Sequence, residues 1–128
     1  MATHRFRAAI EARDHAATVD TLAADVVLHS PVTFKPFEGK EAVADLFSVL
    51  LEVFEDFRYT DELQGPGVHG LVFRARIGDR EVEGIDLLRD DEQGLIADFT
   101  VLVRPLSATI ALAEAVGPRL AALAAQRA

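Results

Sequence analysis

The chain has 128 residues, half of them hydrophobic, no cysteine, and a net charge of −8 from 21 acidic and 13 basic side chains. That length suits one domain with an adequate core, while the lack of cysteine excludes disulfide scaffolds, thiolate nucleophiles, Cys-ligated zinc and iron–sulfur clusters. The basic residues are scattered rather than clustered, so the charge that displaces phosphate counterions is missing, which argues against a nucleic-acid partner. No stretch has the length of a signal core or membrane span, which predicts a cytoplasmic protein with no membrane partner.

From about Thr3 to Arg13, the residues Phe6, Ala9, Ile10 and Arg13 recur at helical spacing, and Asp14 is placed to cap a second short helix carrying Ala17, Val19 and Leu22. Val26 to Ser30 is β-branched and short, predicting a strand that Pro31 ends by removing a backbone donor. Gly39 then opens a strongly amphipathic helix with Val43, Leu46, Phe47, Leu50 and Phe54 on one face. Four strands can cover that face, around Phe57–Leu63, Val68–Ile77, Arg80–Arg89 and Leu95–Arg104, punctuated by Gln64 to Gly67, by Gly78-Asp79 and by Asp90 to Gly94. Beyond them Ile110, Ala113, Val116, Leu120 and Leu123 define a C-terminal helix, expected to break or kink at Gly117-Pro118 and to pack across the open end of the fold or on a partner subunit.

Helices first and an antiparallel meander after is an α+β order. It predicts a cone: a curved antiparallel sheet wrapped around the long helix, with N-terminal helices and an extra C-terminal helix. No repeat or linker divides it, so residues 1–128 read as one domain with residues 105–128 as a helical extension.

A two-residue turn at Gly78-Asp79 sets Phe73 opposite Gly84 and Leu71 opposite Asp86. One face then carries His69, Leu71, Phe73, Ala75, Val82, Gly84, Asp86 and Leu88, joined by Phe99, Val101 and Val103 of the last strand. The other face mixes Val72, Ile85, Leu87, Thr100 and Leu102 with Arg74, Arg76, Glu81, Glu83, Asp98 and Arg104. The first set is the expected interior. The second suits a partner, and a homodimer joined through this outer sheet face is expected.

With these elements in place, the segment SPVTFKPFEGKEAV (Ser30 to Val43) and the hairpin GIDLLRDDEQGLI (Gly84 to Ile96) resemble the nuclear transport factor 2-like superfamily, in its SnoaL-like and ketosteroid isomerase-like branch. The resemblance spans roughly Phe6 to Arg104. It implies a pocket for a small apolar molecule inside the cone and pairing through the outer sheet face. It also implies roles at three positions. The isomerases' general-base aspartate, immediately before the loop proline, falls at Ser30; their first-helix tyrosine falls at Phe6; their second acid, kept protonated in an apolar site to donate to an oxyanion, matches Asp86. Serine is no base near neutral pH and phenylalanine has no hydroxyl to donate, so steroid isomerisation by that mechanism is not expected. An isomerase, cyclase or hydrolase of the SnoaL-like kind remains open, as does a non-catalytic binder.

Asp86 is the sharpest feature, since an ionisable group among Leu71, Phe73, Val82, Phe99 and Val101 is costly to bury unpaired. The candidate site is therefore Asp86 as acid or orienting group, Ser30 and His69 as hydrogen-bonding neighbours, and Phe6, Phe73, Phe99 and Val101 as apolar wall. A diagonal His69–Asp86 pair is geometrically open. A Ser30–His69–Asp86 triad lacks any strained elbow or oxyanion nest. The four histidines show no metal-ligand spacing, Gly65-Pro66-Gly67 precedes no helix to hold a phosphate, and Asp90-Asp91-Glu92 reads as a solvated hairpin tip, so neither metal nor cofactor is expected. The rival expectation is a structural or protein-interaction domain whose interior is filled by Phe34, Phe37 and Phe47.

Overall fold

The computed structural model describes residues 4–127; Thr3, the expected start of the first helix, lies outside them. In chain order the elements are α1 (Arg5–Glu11), α2 (His15–Asp20), β1 (Leu22–His29), β2 (Phe37–Glu38), α3 (Lys40–Val53), β3 (Glu55–Gly65), β4 (Val68–Ile77), β5 (Arg80–Asp90), β6 (Ile96–Arg104) and α4 (Leu106–Arg127). The six strands form one sheet in the order β2-β1-β6-β5-β4-β3. It is antiparallel except where β1 runs parallel to β6.

Helix α2 begins where Asp14 accepts a hydrogen bond from the Ala17 amide at 3.0 Å. It stops sooner than the spacing predicts. Leu22 belongs to β1, pairs with Ile96 and is fully buried, because the Ile96 amide donates to the Thr21 carbonyl and draws the chain into the sheet four residues before Val26. The short strand β2 goes unpredicted in the loop after Pro31; two residues carry no period.

Helix α3 starts at Gly39, whose φ of 92° is open to glycine and strained for other residues. Val43, Leu46, Phe47, Val49 and Val53 are buried. Leu50 and Phe54, on the expected stripe, are only half-buried, because each borders an internal cavity.

The β4–β5 hairpin has the predicted register, with Leu71 opposite Asp86 and Phe73 opposite Gly84. A Cβ on Gly84 would come within 2.4 Å of the Phe73 ring and 2.7 Å of the Leu102 carbonyl oxygen. Only glycine leaves room there for Phe73 to lie across the sheet.

Strand β3 is less regular. Its pairing with β4 slips by one residue between Tyr59–Phe73 and Asp61–Val72, leaving Thr60 as the extra residue of a bulge. Tyr59 consequently shares the inward face of Phe73. Beyond the bulge Glu62, rather than Asp61, lies on the side of Leu71, while Leu63 turns outward and is 56% exposed.

Helix α4 runs unbroken through Gly117-Pro118. The proline and the residue four before it, Glu114, are both exposed, so the carbonyl that loses its partner faces water. Among the described residues α4 is the helix long and apolar enough to cross a membrane. It lies instead beside α3, with Ala108, Leu112 and Val116 buried, Arg127 paired with Asp45, and Arg119 3.8 Å from Glu52. Leu112 and Val116 share a cavity with Leu46 and Val101, which puts α4 over the open, concave side of the sheet. It does not cover the outer face. There Val72, Ile85, Leu87 and Thr100 are half-buried and Leu102 is exposed, and the charges around them pair within the chain: Arg74 and Arg104 with Glu83, Arg76 with Asp56, and His29 with Asp98.

Candidate functional site

Two groups of three phenylalanines build the interior. Phe6, Phe47 and Phe99 meet with ring centroids 5.0 to 5.5 Å apart, bringing α1, α3 and β6 together. Phe54, Phe57 and Phe73 meet at 5.0 to 5.8 Å, Phe57 stacked on Phe73. Such tilted and offset pairs are favoured by the ring quadrupole, by about 0.5–1.5 kcal/mol each. All six line a cavity of about 110 Å³ that also touches Ile10, Leu50, Leu51 and Val101. Glu11, Arg13 and Arg58, all exposed, mark the cavity's open end.

Its inner end is polar. Asp86 sits on β5 between Leu71 of β4 and Val101 of β6, and is 6% exposed. The Tyr59 hydroxyl donates to Asp86 Oδ2 at 3.4 Å, and no other side chain among the described residues bonds the carboxyl. Burial without a cation pushes the carboxyl up to about 8, against a smaller opposing effect of the Tyr59 hydroxyl. Tyr59 is raised well above the usual phenol range, by its own burial and then by the neighbouring Asp86. Its ring stands edge-on to Phe57 and lies 5.7 Å from the Arg7 guanidinium carbon. At neutral pH the site is therefore a neutral carboxylic acid with a phenol beside it, facing hydrocarbon. A group of that kind can donate one hydrogen bond to a ligand oxygen while accepting from Tyr59.

The expected partners of Asp86 are elsewhere. His69 is on the predicted face but turns to Glu62, with Nε2 2.5 Å from the carboxylate, and lines neither cavity. The bulge in β3 is the reason, since it turns an acid toward His69 from the adjacent strand. Glu62 also accepts from the His4 amide at 3.2 Å and from Arg7 at 2.9 Å. Burial raises the Glu62 carboxyl, but the bonds from His69, Arg7 and His4 outweigh it and hold it below the usual glutamate range. This ionic knot ties the start of α1, and with it Phe6, to the sheet.

Ser30 lines a second cavity, not the one that contains Asp86, and its hydroxyl accepts from the Val32 amide at 3.0 Å. No Ser–His–Asp constellation forms. Phe6, Phe73, Phe99 and Val101 all line the Asp86 cavity as expected. Phe34 is fully exposed and fills nothing, while Phe37 and Phe47 are cavity wall. Asp90 at the hairpin tip bonds the His4 ring at 3.1 Å and so ties the hairpin to the start of α1, while Asp91 accepts from the Gln93 and Leu95 amides and shapes the turn. Among the described residues no three acidic or histidine side chains converge on a metal site. Sequence reasoning missed Tyr59. It is the chain's single tyrosine and alternates with Phe57 in a predicted strand, which was the available clue.

A curved sheet, a long helix across its concave side and an apolar cavity ending in one buried acid define a nuclear transport factor 2-like cone. The family model for the SnoaL-like domain matches residues 3–99, and the chain belongs to that family. A crystal structure of a steroid delta-isomerase from Pseudomonas aeruginosa is 41% identical, covering 92% of this chain and 88% of that one at a TM-score of 0.86. An uncharacterised protein with a cystatin-like fold from Silicibacter pomeroyi DSS-3 is 30% identical over 90% of this chain and 82% of its own, with a TM-score of 0.85. A nuclear transport factor 2-like protein from Mesorhizobium loti, 20% identical over 79% of this chain and 86% of that one at a TM-score of 0.69, shares the fold. No curated protein matches the sequence.

The raised carboxyl makes stability depend on pH. In the unfolded chain Asp86 ionises near pH 4, and in the folded protein at about 8. Below the first value both states hold the proton and this group's contribution is at its best. Between the two, the unfolded chain releases a proton the fold retains, so stability falls as pH rises, and above the second the loss is complete. Urea unfolding of the parent is expected to show this decline between about pH 5 and 8, and Asp86→Asn to flatten it. Equal slopes in parent and variant would show that Asp86 ionises normally.

Proposed function

We propose that the chain binds a small hydrophobic compound bearing a carbonyl or hydroxyl group, with the neutral Asp86 carboxyl donating to the ligand oxygen and Tyr59 orienting the acid. The observation that carries this reading is the single near-unpartnered carboxyl at the end of a cavity lined by six phenylalanines. Charged residues occur only at the cavity's open end, which favours an apolar ligand body.

The Pseudomonas aeruginosa protein is a steroid delta-isomerase by name, and the same class of ligand, a hydrophobic ketone, suits this cavity. Turnover by proton abstraction needs a base within about 3 Å of the substrate carbon. Ser30 lines the other cavity, and Glu11 at the mouth is paired with Arg7 at 3.3 Å. Binding with polarisation of the carbonyl is therefore the reading preferred over isomerisation. An interaction domain with a filled interior is less well supported, because two cavities of about 110 and 140 Å³ are present. A cytoplasmic location, consistent with the lack of cysteine, is part of the proposal.

Acetophenone is a suitable probe. Its affinity, measured by calorimetry, is expected to fall as pH rises through about 8, where Asp86 ionises. Asp86→Leu should weaken it about tenfold, the worth of one buried hydrogen bond, while raising the stability of the empty protein. Asp86→Asn should keep part of the affinity, through its amide, without the pH dependence. Undiminished binding by Asp86→Leu would contradict the proposal.

We also propose that the outer sheet face pairs two copies of the chain, with Val72, Ile85, Leu87, Thr100 and Leu102 at its centre. The supporting observation is that α4 leaves this face open while Arg74, Arg76, Glu83 and Arg104 are already paired within the chain. Such exposed pairs stabilise little, so apolar contact would drive association. Light scattering at micromolar concentration should give a dimer that Ile85→Glu with Leu102→Glu converts to a monomer. A parent monomer, or a dimer indifferent to both changes, would place the interface elsewhere or nowhere.

A further inference from the structure

Two apolar chambers lie back to back beneath α3 and α4, and both are bordered by Leu50, Phe54 and Val101. The first, about 110 Å³, ends at Asp86 and Tyr59. The second, about 140 Å³, is walled by Leu28, Phe37 and Leu46 on one side and by Leu112, Ala113 and Val116 of α4 on the other. A cavity of roughly 150 Å³ lined by aliphatic and aromatic side chains accepts one benzene ring. Each chamber alone is thus about one ring in size.

The partition is thin and adjustable. Leu50, Phe54 and Val101 are all half-buried, with free volume on both sides, and Phe54 is the C-cap of α3, where the backbone has already left helical geometry. Leu50 and Phe54 are the side chains whose rotamers would have to change for one ligand to occupy both chambers. Their chemistry differs along the same line. The first ends in a donor; the second has no charged lining, and its one serine, Ser30, already accepts from the Val32 amide.

We infer that the second chamber, one wall of which is α4, is an accessory subsite that takes the far hydrocarbon end of a ligand whose oxygen is held at Asp86. This rests on the binding reading above and assigns α4 a role in it: the helix sets the length of ligand accepted. Ala113 and Gly117 are the adjustable positions. Both line the second chamber, Ala113 half-buried in its wall and Gly117 exposed at its rim, where a Cβ meets nothing within 4 Å.

Acetophenone and 4-acetylbiphenyl present the same ketone and differ by one ring, so calorimetry with both separates the chambers. Burial of the second ring should make the parent bind 4-acetylbiphenyl about tenfold or more tightly than acetophenone. Ala113→Phe, which fills the second chamber, should abolish that preference while changing acetophenone affinity by less than about twofold. Gly117→Leu, which narrows the chamber's rim, should reduce the preference and carries little folding risk, since it replaces glycine inside a helix; circular dichroism checks both folds. Asp86→Leu should weaken both ketones alike. Equal binding of the two ketones by the parent, or a preference undiminished in both α4 variants, overturns the two-chamber inference and leaves the role of Asp86 standing. Indifference of both ketones to Asp86→Leu defeats the binding reading and the inference with it.

Discussion

A carboxyl group buried without a cation governs the interior of this protein. Asp86 occupies a central strand, between Leu71 and Val101, with one long hydrogen bond from Tyr59. Burying the charged form there is costly, so the group keeps its proton far above the usual aspartate range. The neutral acid costs less, and its remaining hydrogen-bonding capacity is aimed at a cavity rather than at the backbone. Stability and binding capacity thus draw on the same residue in opposite directions. A leucine at 86 would suit the fold better and leave the cavity without its polar end.

Several features serve that arrangement. Gly84, two residues before Asp86, leaves space for Phe73 to cross the sheet and close one wall. The bulge at Thr60 brings Tyr59 inward beside the acid and, two residues on, turns Glu62 toward His69. Glu62 in turn holds α1 through His4 and Arg7, and α1 carries Phe6. One extra residue in one strand, Thr60, therefore supplies the acid's partner and secures an aromatic wall at Phe6, far away in sequence. The two carboxyls reach opposite charge states by the same rules: Glu62 gathers three donors and stays ionised, whereas Asp86 has a single weak one and does not.

The sheet's inward face was legible because β4 and β5 alternate cleanly and a two-residue turn fixes their register, which is how Asp86 could be identified from the sequence. The same reasoning failed at β3, where a bulge breaks the period of two and leaves no composition trace. Alternation alone therefore does not single out Tyr59, and it leaves His69 open to Asp86 where the structure pairs it with Glu62. Ser30 falls just beyond β1, which ends at His29, and the position of a strand end relative to a cavity depends on how α3 and α4 divide the interior, which no local pattern encodes. Helix α4 ran through Gly117-Pro118 because the lost hydrogen bond lies on its wet side. Local propensity cannot report that.

The ionisation of Asp86 can be observed directly. With ¹³C-labelled aspartate and Asp86→Asn to assign the signal, the side-chain carboxyl shift can be followed from about pH 3 to pH 10 by nuclear magnetic resonance. A neutral buried acid predicts a midpoint close to 8, with no change through the range where the surface aspartates titrate. A midpoint near 4 would mean that Asp86 is ionised in the folded protein, and the account of the cavity built on its proton would be wrong.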